Sequence, residues 1–113
     1  MKNVLTLGKR HIALDENGYL ANLDEWNREV AVALAQQAEI ELTESHWELI
    51  DLVRLFFERY GVSPSMRPLV KFLKIELKDS SNASSLYLMQ HFPGSPATLL
   101  AKISGLPRPD NCL

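Results

Sequence analysis

The chain has 113 residues, 46% of them hydrophobic and 23% charged, with a formal net charge of −2. That composition describes one globular domain, too short for two, with enough apolar surface for a core that needs no disulfide or metal staple. The acidic balance excludes affinity built on broad phosphate neutralisation, and a single cysteine excludes an internal disulfide framework.

No apolar run approaches the roughly 18 residues of a membrane span. The opening MKNVLTLGKRH lacks the apolar stretch and cleavage site of a signal peptide. With one cysteine and no export signal, the expectation is a cytoplasmic protein without membrane association.

In chain order, the first element predicted is a short β-hairpin. Ile12 and Leu14 belong to one strand, Asn17-Gly18 to the turn, and Tyr19-Leu20 to the returning strand. Leu23, Trp26, Val30, Ala33, Leu34 and Ala38 then follow helical spacing, with Asn22 or Asp24 as N-cap. The next helix reads as central to the fold. Thr43 caps it, Glu44 sits in its positive first turn, and Gly61 stops it. Its apolar stripe is Trp47, Ile50, Val53, Phe57 and Tyr60, widened by Leu49, Leu52, Leu55 and Phe56.

After GVSPS a third helix is expected from Ser65 to Leu77, with Pro68 in the first turn, where a missing N–H costs least. The polar run KDSSNASS breaks the pattern. A fourth helix, Ser84 to His91, stops before Phe92-Pro93-Gly94, and a fifth begins at Ser95 or Pro96 and is closed by Gly105. The predicted fold is mainly α. Residues 1–105 form a small helical domain with a helix-turn-helix-like element and an N-terminal β-hairpin, and residues 106–113 form a flexible C-terminal arm.

The arm carries the only thiol. Pro107 and Pro109 remove two backbone donors and favour extended polyproline II, so an arm counted from Leu106 reaches on the order of 25 Å. A frayed terminus with an incidental cysteine is the plain alternative. Other chemistry is thin. His11, His46 and His91 lack metal-ligand spacing, His46 fits helix-start packing, and no phosphate-binding glycine loop or nucleophile elbow occurs. Arg67, Lys71, Lys74 and Lys78 line part of one face of the third helix, a solvated face or an attractor of an acidic protein or RNA.

Several stretches jointly carry a resemblance: DENGYL followed by Trp26, then ELTESHWELIDLVRLFFERYGVSPSMRPLVKFL, FPGSPA, and GLPRPDNCL. In that order they are similar to the DsrC/TusE family of small sulfur-carrier proteins. The resemblance implies a mostly helical fold with a mobile C-terminal arm, and a persulfide carried on Cys112. DsrC proper has a second arm cysteine eleven positions earlier; here that residue is Ala101, so the chain looks like the single-cysteine branch.

For that branch the resemblance implies a relay into tRNA 2-thiouridine. Sulfur would come from a TusBCD-like donor complex and pass to an MnmA-like tRNA thiouridylase, with tRNA met only through the acceptor and no cofactor of the carrier's own. Asn111 and Gln37-Ala38 depart from residues more usual in relatives. Arg67, Lys71, Lys102 and Arg108 are candidate docking or persulfide-stabilising cations. The alternatives are a regulatory or assembly protein of the same fold and a helix-turn-helix nucleic-acid-binding protein.

The Cys112 thiol is expected not to be strongly activated in the free protein. Asp110 and the terminal carboxylate lie within two residues, like charge disfavours the thiolate, and Arg108 opposes them weakly. Spectroscopic titration of the free thiol should therefore find no pKa well below the ordinary cysteine value of about 8.5.

Overall fold

The structure, a computed structural model, describes residues 3–109; residues 110–113, Cys112 among them, lie outside the described residues. Strands β1 (Asn3–Leu7) and β2 (Arg10–Leu14) form an antiparallel hairpin. Five helices follow: α1 (Arg28–Gln37), α2 (Glu44–Tyr60), α3 (Met66–Glu76), α4 (Ser85–His91) and α5 (Pro96–Ile103). Single 3-10 turns at Leu23–Glu25 and Ser80–Asn82 fill two of the connections. None of these helices is long and apolar enough to cross a membrane.

The hairpin sits one strand earlier than expected. Its turn is Gly8-Lys9, with Leu7 paired to Arg10. Gly8 has φ +58°, the positive value that a II′ hairpin turn requires at its first central position. The Asn17-Gly18 turn exists but returns the chain only to an isolated Leu14–Leu20 bridge. There Asp15 Oδ1 accepts from the Asn17 and Tyr19 N–H groups, beside the backbone bonds Asp15 N–H to Tyr19 O and Gly18 N–H to Asp15 O.

The first predicted helix is divided in two. Asn22 caps the 3-10 turn, accepting from Asp24 N–H, and Asn27 caps α1, accepting from Val30 N–H. Trp26 between them is extended, at φ −71° and ψ 139°. Two asparagines that each compete well as caps split a run whose apolar spacing alone reads as continuous.

Later boundaries follow local chemistry closely. Gly61 ends α2 in the left-handed region, Ser84 caps α4 by accepting from Tyr87 N–H, and Pro96 opens α5. The buried stripe of α2 is His46, Leu49, Ile50, Val53 and Phe56. The expected stripe is thus rotated: Trp47 and Phe57 are only partly buried and Tyr60 is 59% exposed. The hub of the core is α5, which packs against each of the other four helices. Its Leu100, Ala101 and Ile103 meet Val30 and Leu34 of α1, Ile50 and Val53 of α2, and Leu69 and Leu73 of α3 in one cluster.

His46 joins the start of α2 to the end of α4. Its Nδ1 accepts from Thr43 N–H at 3.1 Å, and Nε2–H donates to the His91 carbonyl at 3.0 Å. A carbonyl only accepts, so the bonded form is the neutral Nε2–H tautomer. The ring also meets Phe92 edge-on. Burial holds its pKa below the ordinary histidine value, the His91 carbonyl opposes this, and the His91 charge reinforces it.

The unfolded chain therefore takes up this proton first. His46 contributes stability above pH about 6.5, and that contribution is lost as pH falls through the folded-state value. Thermal unfolding between pH 7.5 and 5 should show the midpoint falling more steeply in the wild type than in His46→Gln. Glutamine keeps the reach-back bond to the N-cap but does not titrate.

Candidate functional site: the root of the C-terminal arm

A helix leaves its last carbonyls without partners, and the end of α5 supplies them in an ordered way. Gly105 N–H bonds to Lys102 O at 3.1 Å and Leu106 N–H to Ala101 O at 2.9 Å, the paired bonds of a Schellman turn. Gly105 sits at φ +72° and Leu106 is buried at 3% exposure.

Three side chains from separate parts of the chain then take neighbouring carbonyls. Trp26 Nε1–H donates to Ile103 O at 2.9 Å, Arg54 Nη1–H to Ser104 O at 2.6 Å, and the Ser63 hydroxyl to Pro107 O at 2.6 Å. The Arg54 guanidinium also lies 3.9 Å from the centre of the Trp26 ring, a cation–π contact. Burial lowers the Arg54 pKa, with Asp51 and Glu58 opposing, but an arginine stays charged at any working pH. Trp26 packs so closely on Gly105 that a Cβ there would stand 2.3 Å from the indole Cδ1.

The anchoring extends further than the sequence implies. Leu106 and Pro109 are buried and Pro107 is half-buried, while Arg108 between them is exposed. Prolines remove donors, and the carbonyls that remain become pure acceptors for groups such as Ser63. The described part of the expected arm ends at Pro109. Three residues on comes Cys112, at most about 11 Å of extended chain.

One depression adjoins this exit, and a second shares Met66 with it as a wall. The first, of about 470 Å³, is lined by Ser65, Met89, Ser95, Arg108 and Pro109. The second, of about 650 Å³, runs along α3 past Arg67, Val70, Lys71 and Lys74. Of the four candidate cations, Arg67, Lys71 and Arg108 thus belong to adjoining surfaces. Lys102 lines neither; its stem lies beside Gly18 and its Nζ is 5.3 Å from the Tyr19 ring centre. Ala101 is wholly buried in α5.

The sequence reading missed Arg54 altogether. Its signal was a lone arginine within the apolar run LVRLFF of the central helix, where a charge is retained only if it finds partners. Trp26 reads as a helix-face residue and part of a motif, and Ser63 only as part of a motif. Their donor roles need the tertiary contact to be seen.

Fold and site together define a small helical domain: a compact core whose last helix ends in a clamped turn. A family model described as "DsrC like protein" matches residues 6–113. The chain belongs to the DsrC-like family. It is 40% identical over 110 residues to a "Sulfurtransferase TusE homolog" of Haemophilus influenzae, covering 97% of this chain and 100% of the relative. It is 39% identical over 110 residues to the "Sulfurtransferase TusE" of Photorhabdus laumondii, covering 97% and 98%.

Among solved structures, the DsrC of Allochromatium vinosum superposes with a TM-score of 0.88 at 36% identity, with both chains covered in full. The oxidized gamma-subunit of dissimilatory sulfite reductase from Archaeoglobus fulgidus gives 0.83 at 37% identity, covering 98% and 100%. The expected fold, mainly α with a hairpin and a helix-turn-helix-like α2–α3 pair, is the one observed.

The clamp predicts an asymmetry between two variants. Gly105→Ala forces a left-handed residue into the Trp26 indole and should destabilise by about 2 kcal/mol or more. Ser63→Ala removes one donor from a part-buried carbonyl and should cost about 1 kcal/mol. Urea unfolding followed by tryptophan fluorescence measures both.

Proposed function

We propose that this protein carries sulfane sulfur as a persulfide on Cys112 and relays it to the synthesis of 2-thiouridine in tRNA. In this reading a TusBCD-like complex is the donor and an MnmA-like tRNA thiouridylase the acceptor. What supports it is the near-full-length likeness to relatives named sulfurtransferases, in a chain whose single cysteine follows three residues after an anchored proline. A relay that depends on a free thiol belongs in a reducing cytosol.

The transfer is an exchange at sulfur. The Cys112 thiolate attacks the outer sulfur of the donor's persulfide, R–S–SH. A new S–S bond forms, the donor's S–S bond breaks, and R–S⁻ leaves as a thiolate. The outer sulfur keeps its oxidation state, so no external oxidant or reductant is needed. Delivery repeats the step, with the Cys112 thiolate as the leaving group. With one cysteine in the chain, Cys112 cannot close an intrachain disulfide, and the loaded persulfide stays available to the acceptor. The carrier's task is placement. The clamp at Ile103, Ser104 and Pro107 sets where the arm begins.

A second reading has its own support. The Archaeoglobus neighbour is named as a subunit of a larger reductase, which fits an assembly role in which the arm docks without moving sulfur.

Measuring 2-thiouridine in the tRNA of bacteria that lack their own TusE separates the two. Supplying this protein should restore the nucleoside, and Cys112→Ser should restore none. Equal rescue by both would sink the carrier reading and leave the assembly role.

A further inference from the structure

The α3 groove has a charge and an apolar floor that the clamp does not use. Arg67, Lys71 and Lys74 recur at helical spacing on α3 and line the groove, whereas Lys78, just beyond the helix, lines a different depression with Glu44, Glu48 and Glu76. All four are exposed. None is in an ion pair among the described residues, where the recorded pairs are Arg28–Asp51 and Arg59–Glu76. The one carboxylate of α3, Glu76, is thereby engaged with Arg59. In a chain with a net charge of −2, this groove gathers three cations, Arg67, Lys71 and Lys74.

The same surface is apolar between its charges. Met66, Pro68 and Val70 line the groove with the stems of the basic residues. The two most exposed large apolar side chains among the described residues also belong to this region. Ile75, at 78%, lies one turn beyond Lys71, and Leu86, at 67%, follows the groove-lining Ser85. Scattered exposed apolar residues are ordinary, but an apolar floor rimmed by one sign of charge is the pattern of a protein interface.

We propose that this groove is the docking surface for the upstream sulfur donor, a protein that presents carboxylates around an apolar centre. The proposal rests on the carrier reading above. Charge complementarity selects an acidic occupant. RNA would satisfy the cations but leave the floor unused. Single-stranded RNA is held by stacking on aromatic rings, and none lines the groove. An acceptor that grips tRNA must itself present cations, which α3 would repel, so the complementary charge belongs to the donor. Position agrees, because Met66 is shared with the depression that holds Arg108 and Pro109. A protein seated on α3 lies beside the point where the arm leaves.

The test uses the full-length Cys112→Ser protein, so that no covalent adduct forms, and the purified TusBCD-like donor complex as the probe. Calorimetric titration of Lys71→Glu/Lys74→Glu should give affinity weaker by on the order of tenfold, with Lys9→Glu/Arg10→Glu at the tip of the hairpin unchanged. Both pairs are exposed, so circular dichroism should find the fold intact in each.

Equal affinity for Lys71→Glu/Lys74→Glu and the parent would overturn the docking surface while leaving the carrier reading intact. A loss confined to the MnmA-like acceptor, or competition by purified tRNA that needs Lys71 and Lys74, would overturn the donor assignment in favour of those occupants. In a parallel arm, the wild type with Cys112 present is mixed with persulfide-charged donor. No sulfur reaching Cys112 there would fail the carrier reading, and this proposal with it.

Discussion

The carbonyls at the end of α5 are the constraint around which the rest of the structure is arranged. Ile103, Ser104 and Pro107 each present an acceptor that the helix cannot satisfy, and each receives a donor from a distant part of the chain. Those donors account for features that are odd in isolation. Trp26 stays extended between two capped segments because its indole is committed to Ile103 O. Arg54 interrupts the apolar run of α2 because it spans Ser104 O and the Trp26 face. Gly105 has no side chain because the indole fills the space where one would stand. Charge-assisted bonds of this kind are stronger than neutral ones, and Arg54 is partly desolvated, which strengthens it further.

What the sequence revealed divides along the same line. The starts of α4 and α5 and the end of α5 depend on Ser84, Pro96 and Gly105, whose effects are local and act through the next few backbone groups. These boundaries were legible to within a residue or so. The hairpin was misplaced because two glycine turns compete within ten residues, and only packing decides that Gly8-Lys9 holds the ladder while Asn17-Gly18 closes on Asp15. The helix at 22–38 was overextended because spacing reports the buried face and says nothing of which asparagine wins the cap. Centrality was given to α2 for its length and apolarity. The eight residues of α5 hold that place, since small Ala97 and Ala101 admit close neighbours on several sides.

The candidate site was legible in a different proportion. The thiol, the prolines and the basic residues of α3 are all visible as letters. Their arrangement is not. Nothing in the spacing of Lys102 from Arg67 shows that one lies against Tyr19 while the other lines the groove near the arm. Arg108 could be placed there only once Pro109 was seen to be buried, because an arm free from Leu106 onward would leave Arg108 without a fixed position. His46 shows the converse. Its helix-start role was readable from Thr43, but the His91 carbonyl that selects its tautomer comes from across the fold.

Anchoring residues 106–109 through Leu106, Pro107 and Pro109 has an energetic consequence for any protein that receives the arm. Fixing a backbone residue costs about 1–2 kcal/mol. For these four residues that cost falls on folding, where Leu106 and Pro109 recover it by leaving water and Pro107 O by bonding to Ser63. A partner engaging the arm beyond Pro109 has correspondingly less chain to order, so more of the contact energy shows as affinity. The two prolines act in the same direction, since fixed φ angles narrow the unfolded ensemble at those positions. An arm anchored in this way gives up reach for a defined point of departure. That exchange suits a carrier whose reactive atom must meet a partner's thiol in one geometry.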